Sequence, residues 1–401
     1  MVAVASVLAL AATAMAAAPV GKYFDNYIFI VMENEDAINV LRNSEYASLL
    51  KSGVEFTDYH GTVHPSQPNY WSTIAQSTFR GLKQGNYSIN GKTVGAEITG
   101  DNGDNMYDID GSKMIADSLE AAGLSWGIYS ENYPGNATVC YTDDGSGTGP
   151  LITFEGVNST SVGAKNREYK RKHNPFMSFT SINQNVDRCT KHVFSEKDWA
   201  AAVKADSFPD YVYFVPNQVD DSHDWPGDAA PIVANDPTPM AGIDYSAQWL
   251  AKFLVDLNNS AYLNSRRTLV HITFDENDIA YSLHYSSIGA VNSTCLDLVN
   301  NCPGDKTNNQ VYGVLLGSAV SCYEGTTIDG KYDHNSIVAT LNDNWGLPSL
   351  GNSDSYSAAA WPLKNCPVQY QYQAPAATAL YSAGVKPFAA LAVAVVAALL
   401  F

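Results

Sequence analysis

Five short runs of apolar, β-branched and aromatic residues punctuate the chain: Tyr27–Met32, Trp126–Tyr129, Tyr211–Val215, Leu269–Phe274 and Val311–Leu316. Runs of this length with no polar alternation predict strands buried on both faces. Helical periodicity lies between them. Ile115, Leu119 and Ala122 share one face of a helix over Met114–Ala122, and Gly123 is placed to stop it. Tyr245, Trp249, Phe253 and Leu257 recur every four residues behind Asp244, a candidate cap. Asn335 opens a third helix carrying Ile337, Val338 and Leu341. Strands alternating with helices predict an α/β sandwich with a mostly parallel central sheet. The Gly/Asn/Asp-rich stretches 84–111, 132–168 and 276–310 read as loops, none as an interdomain linker. Residues 19–370 are therefore expected to form one domain.

The two ends follow a different pattern. Residues 2–18 are a short apolar, Ala-rich run ending in small residues, as in a secretory signal peptide covering 1–18, although no Lys or Arg precedes it. Phe388–Phe401 is a second apolar block of 14 residues, short of the roughly 20 a membrane span needs. Small residues at Ala374–Ala377, or at Ser382–Gly384, and a spacer precede it. That is the layout of a glycosylphosphatidylinositol (GPI) attachment signal over 371–401; a tail anchor or a buried terminal helix is the alternative. Six cysteines with no CxxC fit disulfides in an oxidising compartment, with Cys295–Cys302 the expected local pair. Sequons at Asn86, Asn136, Asn158, Asn258 and Asn292 suggest a glycosylated surface. The expected location is extracellular, at the cell surface or wall, with membrane contact only through the anchor.

Composition narrows the partners. The chain has 401 residues, 45% of them hydrophobic, which is enough for a large core. With 23 Lys+Arg against 41 Asp+Glu the formal charge is −18, which argues against nucleic acid and against charge-driven docking on anionic lipid.

Open α/β sheets bind ligands beyond the carboxyl ends of their strands. Glu33-Asn34 follow the first run and Asp275-Glu276 the fourth; Pro216-Asn217 and then Asp220-Asp221-Ser222-His223-Asp224 follow the third. Parallel, adjacent strands would bring these groups together as a hard-cation site. In His64-Pro65-Ser66-Gln67-Pro68-Asn69-Tyr70, Pro68 suits the first turn of a helix, which places Ser66 at a helix N-terminus that favours an anion such as phosphate. A metal or a base is needed to make that hydroxyl a nucleophile; otherwise Ser66 is only a capping residue. His173 ends a basic run (Lys165, Arg167, Lys170, Arg171, Lys172), which either attracts phosphate or is a solvated face. His60, His192, His271 and His284 are read as structural.

Taken together, these segments resemble the phosphoesterase family of fungal secreted acid phosphatases and bacterial phospholipases C, within the alkaline-phosphatase-like superfamily. The resemblance rests on Val31-Met32-Glu33-Asn34, the His64–Tyr70 segment, His173-Asn174-Pro175-Phe176, Val215-Pro216-Asn217 with Asp221–Asp224, Phe274–Asn277 and Tyr332–Ser336. It implies an alkaline-phosphatase-like sandwich with helices on both faces of the sheet. It also implies a divalent metal ion of unspecified identity on Glu33, Asn34, Ser66, Asp275 and Glu276. Ser66 would be the nucleophile and His223 and His173 catalytic, with His64, Asn69 and His334 near the phosphate. The expected activity is hydrolysis of small phosphate monoesters at acid pH through a phosphoseryl intermediate. A phospholipase C or other phosphodiesterase is the alternative on the same fold, and a non-catalytic surface glycoprotein the reading from another class.

Overall fold

Seven of the eight strands in the central sheet run in one direction. In a computed structural model, the described residues are 19–63, 66–79, 88–89, 92–93, 108–142, 169–223, 241–277, 309–352 and 358–367. Both terminal segments and the expected pair Cys295–Cys302 therefore lie outside them, as do His64, Asn86, Asn158 and Asn292. The sheet strands are β1 (Asn26–Met32), β2 (Val54–Phe56), β3 (Trp126–Ser130), β4 (Val193–Phe194), β5 (Tyr211–Val215), β6 (Thr268–Phe274), β7 (Gly313–Leu316) and β8 (Thr326–Ile328), in the order β8-β2-β7-β6-β1-β5-β3-β4. Only β7 runs against its neighbours, β6 and β2. All five apolar runs are strands here; the short strands β2, β4 and β8 carry too few residues to show as such runs.

Each apolar strand is buried because helices cover both faces. Along β5, Tyr213 turns one way, to Thr73 of α2 (Ser66–Ala75), with an O–O distance of 3.1 Å. Phe214 turns the other way, against Trp199, Trp249 and Phe253. Those three aromatics come from α4 (Glu196–Ala205) and α5 (Ala241–Asn259). Truncating an aromatic such as Phe253 to Ala would cost about 3–5 kcal/mol. The face covered by α2 also carries α6 (Asn335–Trp345), the other face α1 (Ser44–Lys51).

Local signals explain the ends of these helices. Asn43 caps α1 by accepting from the Glu45 and Tyr46 amides, and Ser195 and Asp198 form a capping box on α4. The helix α3 (Ile115–Ala121) stops before Gly123, whose φ is +75°. Asp244 is not a cap: α5 starts at Ala241, and the Asp244 carboxylate lies inside its first turn, accepting from Asn43 Nδ2 at 2.8 Å. Disulfides join Cys140 to Cys189 and Cys322 to Cys366. Of the sequons described, Asn136 is exposed and Asn258 half-buried. Among the described residues no helix is long and apolar enough to cross a membrane.

Candidate active site

β1 lies between β5 and β6, parallel to both. That register carries the residues after the three strands to one rim. The Asp275 amide donates to Met32 O at 3.0 Å and the Glu33 amide to Asp221 O at 2.9 Å. Glu33-Asn34, Asp275-Glu276 and the turn through Asp221 and His223 therefore meet. Two non-glycine residues here have left-handed backbones, Asn34 at φ +41° and Ser222 at φ +96°. Such conformations are costly and persist only where their surroundings hold them.

Ser66 faces this rim as the first residue of α2. Pro68 sits in the first turn, where its missing N–H leaves no intrahelical bond unmade. Ser66 Oγ donates to Glu33 Oε1 at 2.6 Å, and it lies 3.2 Å from Glu276 Oε1 and 3.3 Å from the Asn34 side-chain oxygen. The Asn34 amide donates to Asp275 Oδ1 at 2.9 Å, while Asp275 Oδ2 is buried without a hydrogen-bond partner. In one orientation of the Asn34 side chain its oxygen faces only acceptors. Turned over, its nitrogen donates to Ser66 Oγ at 3.3 Å and to Glu276 and Asp275, each at 3.1 Å.

The electrostatics of the cluster are uneven. Burial pushes Glu33 up, but His173, then Lys172 and His223, outweigh it and hold the carboxyl well below its usual range. Burial, reinforced by the charges of Glu33 and Glu276, pushes Asp275 well above it. Lys172 Nζ is 3.8 Å from Glu33 Oε1. His173 Nε2 lies 3.2 Å from Glu33 Oε2, though not aligned as a hydrogen bond, and its ring stacks on Tyr70. The Tyr70 hydroxyl donates to Glu33 Oε2 at 2.6 Å.

His223 stands at the rim, half-buried, with Nε2 3.4 Å from the side-chain Nδ2 of Asn34. Asn69 and His334 are placed differently from the expected phosphate contacts. Asn69 is fully buried; its oxygen accepts from the Thr62 and Val63 amides, and its nitrogen donates to Val63 O and, at 3.1 Å, to Glu276 Oε2. His334 is buried beside the N-terminus of α6, with Nε2 donating to Asp275 O at 2.5 Å and Nδ1 3.4 Å from the Tyr59 hydroxyl. Burial lowers its pKa to about 4, so the ring is neutral. Both side chains brace the Asp275-Glu276 pair, because their polar atoms are engaged inside the protein. Sequence reasoning gave Tyr70 no role, and took Lys172 only as part of a basic run that attracts phosphate or is a solvated face. Tyr70 stands one helical turn after Ser66, a spacing that puts both on one face. The other histidines are structural as expected where they are described: His60 meets Asp58, His192 stacks on Trp126, and His271 meets the Tyr27 hydroxyl.

An open, mostly parallel sheet that gathers buried carboxylates, an amide and a helix-initiating serine at one rim has the architecture of the phosphoesterase class. The Phosphoesterase family model matches residues 43–348, and this chain belongs to that family. The match starts after Glu33 and Asn34, so their place in the site rests on the geometry above. A phosphate-repressible acid phosphatase of Penicillium chrysogenum is 29% identical over 87% of this chain and 67% of its own length. An acid phosphatase of Aspergillus fumigatus is 27% identical over 83% of this chain and 58% of its own length. The chain thus spans about three fifths to two thirds of these curated relatives. A phosphatidylinositol-3-phosphatase of Mycobacterium tuberculosis is 22% identical over 85% of this chain and 82% of its own. Among solved structures, a protein in the alkaline phosphatase superfamily from Vibrio parahaemolyticus aligns with a TM-score of 0.44 at 11% identity, over 81% of this chain and 68% of that one.

Proposed function

We propose that this chain hydrolyses phosphate monoesters at acid pH, with Ser66 as the nucleophile. The observation that carries the reading is the Ser66 hydroxyl, at the first residue of a helix, donating at 2.6 Å to Glu33, in a family shared with fungal acid phosphatases.

A serine hydroxyl becomes a useful nucleophile when its proton is taken and the developing charge is stabilised. Glu33, kept anionic by the cations around it, is placed to receive that proton. The N-terminus of α2 directs backbone N–H groups and the positive end of the helix dipole toward phosphoryl oxygens. The Oγ–P bond forms as the P–O bond to the alcohol breaks, in line. His223, at the rim, gives the leaving alkoxide its proton. His223 then takes a proton from water as the water oxygen bonds phosphorus, the Oγ–P bond breaks, phosphate leaves, and Glu33 returns the proton to Ser66. An acid optimum follows from the need for a protonated His, whose ordinary pKa is about 6.5.

The donor set fits a hard divalent cation. Among the described residues no three His, Cys, Asp or Glu side chains form a metal site on their own. The set here adds an amide and a hydroxyl to the carboxylates, so all of its donors are oxygens. Three buried carboxyls and an orphaned Asp275 oxygen favour a positive charge among them. Glu33, Asn34, Ser66, Asp275 and Glu276 would hold the ion. Such a cation supplies charge that lowers the pKa of a neighbouring hydroxyl and offsets charge on phosphoryl oxygens.

Export, glycosylation and a GPI anchor complete the proposal, supported by the two terminal patterns and the sequons. Release of membrane-bound protein by an enzyme that cleaves GPI anchors tests the last of these.

Ser66→Ala assayed on an aryl phosphate is the decisive measurement. Loss of the nucleophile should lower kcat by about 10³-fold or more. Turnover near that of the parent would overturn the assignment. Comparing rates on the monoester and on phosphatidylcholine separates a monoesterase from the phospholipase C alternative.

A further inference from the structure

Between the buried side chains of Arg171 and His173 stands a lysine that the reaction above uses only as background charge. The three residues form one 3₁₀ turn, Arg171–His173, and both neighbours of the lysine are tied down. Arg171 Nη2 donates to Met177 O at 2.6 Å, the Asn174 amide donates to Arg171 O at 2.9 Å, and the His173 ring stacks on Tyr70. Lys172 is thereby held at the rim, with Nζ 3.8 Å from Glu33 Oε1. Its side chain stays 20% exposed, whereas that of His173 is 3% exposed.

The two oxygens of Glu33 face different groups. Oε2 accepts from the Tyr70 hydroxyl and lies beside His173. Oε1 accepts from Ser66 Oγ at 2.6 Å and is the oxygen that Lys172 faces. Nucleophile and ammonium therefore meet at one carboxylate oxygen. A separation of 3.8 Å is longer than a hydrogen bond, so Lys172 and Glu33 make a charge contact. An ammonium has donors and no acceptor, so it cannot join the acidic residues in holding a metal; it can donate to a phosphoryl oxygen.

A rim built from three buried carboxyls offers phosphoryl oxygens little attraction of its own. A phosphorus bonded to Ser66 Oγ would bring its terminal oxygens beside Glu33 Oε1, within the neighbourhood of Lys172. A phosphate monoester has three terminal oxygens to place there. A diester has two, because the third carries the second alcohol. We propose that Lys172 binds the terminal oxygen that a monoester has and a diester lacks, and so sets a preference for monoesters. This rests on the reading of the Ser66 site as a phosphatase. The rival role is support alone: Lys172 also helps to keep Glu33 anionic, and loss of that help would slow both ester classes alike.

The test is Lys172→Met, compared with the parent on an aryl phosphate and on a diaryl phosphate, the latter read by turnover and by its inhibition constant. Binding of inorganic phosphate is followed by calorimetry. The preference for monoester over diester should fall by about tenfold or more, and phosphate should bind about tenfold more weakly, as expected for loss of a charge-assisted contact. Lys172→Arg, which keeps a cation, should retain most of the preference. Equal losses on the two esters, or unchanged phosphate affinity, overturn the proposal. If Lys172→Met does not fold, Lys172→Gln is read in the same way. If the parent hydrolyses no phosphate ester, the phosphatase reading fails, and calorimetry decides Lys172 alone: equal phosphate affinity in parent and variant refutes the contact.

Discussion

Carboxyls at two neighbouring ends of one sheet are satisfied in opposite ways. Around Ser66, three buried acids crowd one another and one carboxylate oxygen has no donor. Around Glu131, each carboxylate oxygen has its own N–H donor. The first arrangement calls for a cation, whereas the second needs only a proton. Buried charge is costly unless it is paired, so the same residue type does different work according to the donors around it.

The contrast can be broken most forcefully at Asp275. Asp275→Asn should reduce bound divalent metal and lower kcat/KM by more than the roughly 10–100-fold typical of residues that only support metal ligands. Elemental analysis alongside aryl phosphate kinetics checks both. The same substitution should leave the chelated protein at least as stable as its parent, because it removes one of three crowded carboxyls; a sizeable drop in melting temperature would contradict the picture of repulsion. Glu131→Ala should do the reverse, destabilising by about 1–3 kcal/mol as the Asn217 and Trp249 N–H groups lose their acceptor. Denaturant unfolding measures that difference. The sign with pH also separates the groups. An acid whose folded pKa is raised, as burial raises that of Glu131, contributes fully below its unfolded value of about 4.3 and loses that contribution as pH climbs through the folded value. Stability from Glu131 should therefore decline from mildly acid pH upward. Tyr70→Phe is the smallest change. Removing a hydroxyl that donates at 2.6 Å to Glu33 should cost about 10-fold in activity, with the Ser66 chemistry otherwise intact. A fall as deep as that of Ser66→Ala would mean that Tyr70 itself takes part in the reaction.

Much of this molecule was written into local patterns. The five apolar runs became strands, Gly123 follows the end of a helix, and Asn335 starts one, because burial and backbone propensity act over a few residues. The order of acidic residues after strands was equally visible, and parallel pairing of β1 with β5 and β6 turned that order into one rim. Asp244 was misread as a cap because a helix can begin earlier when tertiary contacts support it, here through Asn43.

The amino-acid order by itself determined which residues were available: strand-end acids, a serine before a helix, and histidines in motif positions. Only the folded chain decided what each one faces. Asn69 and His334 differ in no local way from ligand-contacting residues, yet their polar atoms meet backbone groups and Glu276 inside the protein. Glu131 and Asn217 lie 86 positions apart in the chain and become partners only because β3 and β5 pair side by side. Hydrogen bonds and charge interactions act over a few ångströms, so their partners are set by packing and not by spacing along the sequence.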